Sequence, residues 1–208
     1  MIPKVSFLIT AHNIAPFIQK LLDSIPWSNS IEVIARSNGS TDKTVEILSR
    51  YRDEHPSCNL KVVVAEDSCA AENFNALLEL ATGEYIQFVD GDDYLYPEKY
   101  KHIIARMDGV VDCVYTDLVI NSGDIWKLTP STRIGWCAPF TRAFRREFAK
   151  GAKFPEDRIA DSDWFFNQEL LKRNPVSVFT GIPAYHYNFP RKGSMMDLLA
   201  KGIIKEKE

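Results

Sequence analysis

Four times in the first half of the chain, a short apolar, β-favouring run gives way to a loop and then to apolar residues at helical spacing. The runs are Lys4–Thr10, Ile31–Ala35, Leu60–Ala65 and Tyr85–Val89. Ile14, Phe17, Ile18, Leu21, Leu22 and Ile25 recur along one helical face, and Val45, Ile47, Leu48 and Tyr51 along a second. Ala70–Ala81 and the stretch from Pro97 to about Met107 supply a third and a fourth helix. This alternation predicts an α/β fold built on a mostly parallel sheet with helices on both faces, because parallel neighbours are joined by right-handed crossovers. Ligands of such sheets collect at the carboxyl ends of the strands. Three polar loops fall on that edge: Thr10 to Asn13, Ser37 to Asp42, and Asp90 to Asp93.

The last loop is the most unusual. A strand ending at Val89 runs straight into Asp90-Gly91-Asp92-Asp93. Asp and Gly are ordinary turn residues, so the motif alone means little. Set at a ligand-binding edge, however, closely spaced carboxylates are the hard oxygen ligands that Mn²⁺ or Mg²⁺ prefers, and few are needed when a diphosphate supplies the others. The cluster therefore reads as a metal–diphosphate site.

The chain has 208 residues, enough for one sizeable domain. Its 45% hydrophobic and 25% charged residues describe an ordinary globular protein. No apolar window reaches membrane-spanning length, and Met1-Ile2-Pro3-Lys4 enters a strand pattern directly, so a cytoplasmic location is expected. Cys58, Cys69, Cys113 and Cys137 are far apart, which predicts free thiols. A net charge of −3 argues against a protein coated in positive potential.

The second half is less regular. Val110–Val119 reads as a strand and Val176–Phe179 as another. Thr141–Gly151 is predicted helical, with Arg142, Arg146 and Lys150 at i, i+4, i+8 and Phe144 and Phe148 beside them. Asp161–Arg173 is a further amphipathic helix with Trp164, Phe165, Leu170 and Leu171 as its apolar positions. The basic stripe of Arg142, Arg146 and Lys150 reads either as a solvated face or as a contact for phosphate groups, at a membrane surface or on a polyanion.

Four segments, taken in order, resemble the family 2 inverting glycosyltransferases of GT-A fold, a Rossmann-like architecture, over nearly the whole length. They are Val5–Asn13 (VSFLITAHN), Ser37–Asp42 (SNGSTD), Ala81–Tyr100 (ATGEYIQFVDGDDYLYPEKY), and Phe154-Pro155-Glu156 followed by Asp161-Ser162-Asp163-Trp164. Tyr185–Ser194 resembles the family's Tyr-x-x and Arg-x-Gly-Ser ending. The resemblance implies a single GT-A domain, with residues 1–118 as the donor half and 119–208 as a smaller mixed acceptor half. It also implies a nucleotide-sugar donor, of which a UDP-sugar is the first expectation, and a divalent metal. The sugar would pass with inversion to a hydroxyl on a glycan, a lipid-linked sugar or another acceptor, in cell-surface polysaccharide or other glycoconjugate synthesis.

The resemblance also assigns residues. Asp92 would hold Mn²⁺ or Mg²⁺, and Asp90 would stand beside it on metal or ribose. Asp163 would be the general base, with Asp161 its rival on the acceptor side. Thr10, His12, Asn38 and Arg191 would contact the donor, and Trp136 would stack on the acceptor sugar. Several positions depart from the family pattern: Asn38 replaces the usual aspartate, His12 a tyrosine, Thr10 a proline, and Phe74 stands near a usual arginine. These departures keep a second function class in view, a non-catalytic nucleotide-sugar or glycan-binding protein of the same fold. A phosphatase of the haloacid dehalogenase type would carry its acidic motif on the first strand rather than the fourth.

Overall fold

A computed structural model describes residues 2–66, 68–132, 138–157, 161–194, 197–198 and 201. The alternation is present as β1 (Val5–Ala11), α1 (Ala15–Asp23), β2 (Ile31–Asn38), α2 (Thr44–Glu54), β3 (Leu60–Ala65), α3 (Ala70–Leu80) and β4 (Tyr85–Asp90). There follow β5 (Tyr94–Leu95), α4 (Pro97–Ile104), β6 (Cys113–Ile120), β7 (Ile125–Trp126) and a 3₁₀ turn at Pro139–Thr141. The chain continues through β8 (Arg142–Arg145), α5 (Arg146–Ala149), α6 (Ser162–Lys172) and β9 (Ser177–Tyr187). The sheet order is β3-β2-β1-β4-β8-β6-β9-β5, with β7 paired to β6. β3, β2, β1 and β4 are mutually parallel, while β8 runs antiparallel to both β4 and β6.

Side chains alternate across the sheet, and each face has its own core. On one face Phe7, Ile9, Val33 and Val89 pack with Ile18 and Leu22 of α1 and Tyr100 of α4. On the other, Leu8, Ile34 and Phe88 pack with Phe74 and Leu77 of α3 and Phe166 of α6. Phe154 joins the elements of this second face, stacking on Phe74 (4.7 Å) and Phe166 (4.0 Å). Removing a fully buried ring of this kind costs about 3–5 kcal/mol. α3 starts at a reciprocal cap, in which Cys69 Sγ accepts from the Glu72 amide and Glu72 Oε2 accepts from the Cys69 amide. Cys58, Cys69 and Cys113 are free thiols.

Three expectations about the second half are corrected. Thr141–Gly151 is not one helix: β8 fills the slot between β4 and β6, and only Arg146–Ala149 is helical. Ala143 and Phe144 are fully buried there, so nonlocal pairing overrides the local helical spacing. The buried face of α6 is Ser162, Phe166, Asn167 and Leu170, whereas Trp164 is exposed. The strand begun at Ser177 continues to Tyr187, so the Tyr185-His186-Tyr187 segment belongs to the sheet.

Candidate active site

The carboxyl ends of β1, β2 and β4 meet where Thr10 pairs in register with Arg36 on one side and Asp90 on the other. Paired residues of parallel strands share a face, so Arg36, Thr10 and Asp90 form a row above α3 and α6. After Asp90 the chain turns sharply. A Cβ on Gly91 would lie 2.2 Å from Ile14 Cδ1 and 2.7 Å from the Thr10 carbonyl oxygen, so this position admits only glycine. That constraint accounts for the interval between Asp90 and Asp92.

The three carboxylates of the turn differ in their surroundings. Asp93 is buried, and accepts from Tyr185 Oη (2.6 Å) and the Asn188 amide (2.8 Å), which anchors the turn to β9. Burial nonetheless pushes its pKa up to about 8, against those two donors. Asp92 is half-buried and accepts from Arg191 Nε at 2.5 Å. Among the described residues no donor reaches the Asp90 carboxylate. Burial, and then the charges of Asp93, Asp92 and Asp163, raise its pKa well above the usual carboxylate range.

Asp163 lies in the first turn of α6, and its charge is felt at Asp90, which places the two on the same side of the site. Burial raises the Asp163 pKa to about 7, partly opposed by the Ser162 side chain. Asp161 stands, exposed, at the position preceding the same helix and makes no side-chain capping bond to it. α6 is fixed to the sheet by Phe166 and by a short contact from Arg142 Nη2 to Asn167 Oδ1, one turn beyond Asp163.

The remaining predicted residues divide. His12 is exposed just beyond β1, with Nδ1 2.5 Å from the Asn38 carbonyl and Nε2 3.1 Å from Asn13 Nδ2. Asn38 is buried and its amide is turned to Ser68: Oδ1 accepts from the Ser68 amide (3.1 Å) and Oγ (2.8 Å), and Nδ2 donates to the Ser68 carbonyl (2.6 Å). It pins the loop before α3. Arg191 is drawn to Asp92, its guanidinium also 5.2 Å from the Phe17 ring. His186 is stacked on Tyr94 at 4.1 Å, with Nδ1 toward Tyr96 Oη and Nε2 toward Asn121, so both ring nitrogens have structural partners. Trp136 lies outside the described residues.

The basic stripe does not form. Arg142 is buried in β8 under the Tyr115 ring. Arg146 Nε donates to the Gly83 carbonyl, and Lys150 pairs with Glu147. Arg146 and Lys150 also line a cavity of about 240 Å³ near Leu78, Glu79 and Lys153. That cavity adjoins the amino end of β4, roughly 16–17 Å of strand away from Asp90. Neither residue is placed to meet an acceptor at the carboxylate edge.

Sequence reasoning did not single out Arg36 or Asn73, whose side chains meet at 2.6 Å. Their signal lay in register: Arg36 stands two places before Asn38 and opposite Thr10. Among the described residues no three His, Cys, Asp or Glu side chains converge into a ready metal cage. The donor set instead suits a cation that brings further ligands with it. Asp90 lacks any donor, and Asp92 has one arginine.

The model of the family described as Glycosyl transferase family 2 matches residues 6–173. Poly(ribitol-phosphate) beta-N-acetylglucosaminyltransferase TarS of Staphylococcus aureus is 27% identical over 224 aligned residues, covering 93% of this chain and 37% of TarS. Chondroitin synthase of Pasteurella multocida is 33% identical over 119 residues, 55% of this chain and 12% of the synthase. The chain thus spans little more than a third of the first of these relatives. Among solved structures, S. aureus TarS 1-349 in complex with UDP-GlcNAc superposes with a TM-score of 0.78 at 25% identity, covering 93% of this chain and 60% of that one. Mannosyltransferase PcManGT from Pyrobaculum calidifontis, in complex with GDP-Man and Mn²⁺, has a TM-score of 0.73 at 20% identity, covering 93% and 59%, and bears on the fold alone.

Proposed function

The chain belongs to glycosyl transferase family 2, and from that premise we propose that it transfers a sugar from a nucleoside-diphosphate donor to an acceptor hydroxyl with inversion. The observation that carries this reading is the set of three carboxylates at the edge where such sheets bind ligands: Asp90 without a donor among the described residues, Asp92 on one arginine, and Asp163 close enough for its charge to act on Asp90. Asp92, with Asp90 alongside, would hold Mn²⁺ or Mg²⁺. Once bound, that ion supplies positive charge against the departing diphosphate.

Asp163 is the base. A carboxylate with a pKa near 7 is matched to accepting a proton at neutral pH, and a sugar hydroxyl is a poor nucleophile without such help. Transfer as the hydroxyl attacks gives the proton to Asp163 and the sugar to the acceptor, while the nucleoside diphosphate leaves. Arg191 is within reach of the same diphosphate once it leaves Asp92. Thr10 and His12 border the nucleoside. A UDP-sugar is the first donor to try, because the TarS structure holds UDP-GlcNAc. Acceptors to try are glycans and lipid-linked sugars of the kind used in cell-surface polysaccharide synthesis. No described helix is long and apolar enough to cross a membrane, and we place the activity in the cytoplasm, where nucleotide sugars are made.

The test is release of free nucleoside diphosphate from a panel of nucleotide sugars with Mn²⁺ or Mg²⁺. Turnover is expected to vanish with chelator, and to fall by about 10²–10³-fold in Asp92→Ala. Tight donor binding with no turnover, even when acceptors are supplied, would leave a binding protein instead.

A further inference from the structure

Arg36 is the one conspicuous charge at the carboxylate edge that the proposed chemistry does not use. Its guanidinium is half-buried, and among the described residues no carboxylate pairs with it. Nη1 is held by two neutral side-chain oxygens, Asn73 Oδ1 at 2.6 Å and Asn38 Oδ1 at 3.5 Å. Asn73 is itself 4% exposed, so it acts as a fixed strut from α3 rather than as a surface partner. The N–H groups of Nη2 and Nε have no acceptor among the described residues. A guanidinium oriented so firmly, yet with most of its donors unspent, has room for a ligand's acceptor atoms.

Position narrows which part of the ligand that is. Arg36 lies two strands from Asp90 in the row through Thr10. Two strand spacings make about 9–10 Å. That separation suits the length of a nucleoside laid across the strand ends, with its phosphates toward Asp92 and its base over β2. The neighbouring Asn38 is a poor acceptor for a ring N–H, since the Ser68 amide and Oγ and Arg36 Nη1 already crowd its Oδ1. What β2 offers the base is therefore a donor.

We propose that Arg36, braced by Asn73, selects the donor nucleobase by donating to a ring carbonyl, favouring uracil, cytosine or guanine over adenine. Adenine has no carbonyl, and its N1 and N7 each stand beside an amino group that would oppose the guanidinium. This inference rests on the reading of the edge as a nucleotide-sugar site, and it puts base selection on a residue of the second strand.

Calorimetric titration with UDP, CDP, GDP, ADP and inorganic pyrophosphate, each with Mn²⁺, separates the two claims. The wild-type chain is expected to bind at least one of UDP, CDP and GDP more tightly than ADP. Arg36→Met, which keeps the side chain's length, should weaken that preferred nucleotide about tenfold or more. Binding of ADP and pyrophosphate should change little. Arg36→Lys, which keeps the charge but loses the fork, should fall between the two and guards against a folding defect, with thermal melting checked for both. An unchanged preference over ADP in both variants would overturn the proposal. So would an equal loss for every ligand including pyrophosphate, which would make Arg36 a phosphate-binding cation. If the wild type binds pyrophosphate but no nucleoside diphosphate, the donor reading itself fails.

Discussion

The two edges of the parallel sheet treat buried carboxylates in opposite ways. At the amino edge Glu32 is fully buried, yet Ser6 Oγ (2.5 Å), Lys61 Nζ (2.6 Å), the Thr82 amide (2.9 Å) and Thr82 Oγ1 (2.9 Å) all donate to it. Burial pushes its pKa up, but these donors outweigh the burial and hold it below the ordinary glutamate value. At the carboxyl edge Asp90, Asp93 and Asp163 are all raised, in each case first by burial. The difference lies in the supply of donors. Where the carboxylate is an architectural tie, the chain provides its own hydrogen bonds. At the other edge the described residues bring Asp90 no donor, and the Ser162 side chain only partly offsets the burial of Asp163.

The sharpest break in this comparison is Asp163→Asn. It should cost about 10²–10⁴-fold in transfer and abolish a rise of rate with pH centred near 7, read from pH profiles with saturating donor. The same substitution should leave donor binding nearly intact. It also has a stability signature. Because the native pKa is raised, the folded chain holds a proton between about pH 4 and pH 7 that the unfolded chain has lost, so stability falls as pH rises through that window. Melting of Asp163→Asn should thus match wild type near pH 4 and exceed it at pH 8.

Glu32→Ala reverses that pattern. It orphans several buried donors and should cost about 3 kcal/mol of stability in denaturant titration, while turnover per folded molecule is kept. Glu32 has a lowered native pKa, so its contribution is present above its unfolded pKa and disappears as pH falls through the native value. Acid should consequently narrow the gap between Glu32→Ala and wild type. The smallest effect is expected at Arg191. Its partly buried pair with Asp92 competes with any metal for that carboxylate, so Arg191→Gln should tighten Mn²⁺ binding about threefold in the absence of nucleotide, measured by paramagnetic resonance.

Much of this edge was legible in the sequence, because the elements that build it are local. The runs at Lys4, Ile31, Leu60 and Tyr85 coincide with β1 to β4, and Asp-Gly-Asp-Asp lies at the end of the strand that its apolar run implied. Thr10, Asn38 and Asp90 stand at the carboxyl ends of β1, β2 and β4, with His12 just beyond β1, on the edge that the ligand rule singles out. What was not legible depends on distant partners. Arg142, Arg146 and Lys150 have helical spacing, but the slot between β4 and β6 takes Arg142–Arg145 as a strand and turns Arg142 inward. Asn38 occupies the expected position, but its amide is turned to Ser68, thirty residues later. Arg36 matters only through its register with Thr10, which no single-strand pattern reveals. Trp136 and the acceptor it was expected to meet lie outside the described residues.

The placement of β8 has a consequence for how the protein is made. β4 emerges early, but its second neighbour is not synthesised until residues 142–145, more than fifty residues later. Until then the strand that carries the acidic turn has one edge with open hydrogen-bonding groups. The first 118 residues therefore cannot close their own sheet, and a polypeptide stopped at residue 118 would present that edge to its neighbours. Gene fusions or split versions of the protein should respect this, keeping β4 and β8 on one chain. A swap of carboxyl-terminal segments between relatives would have to begin after Arg145 rather than at the apparent midpoint.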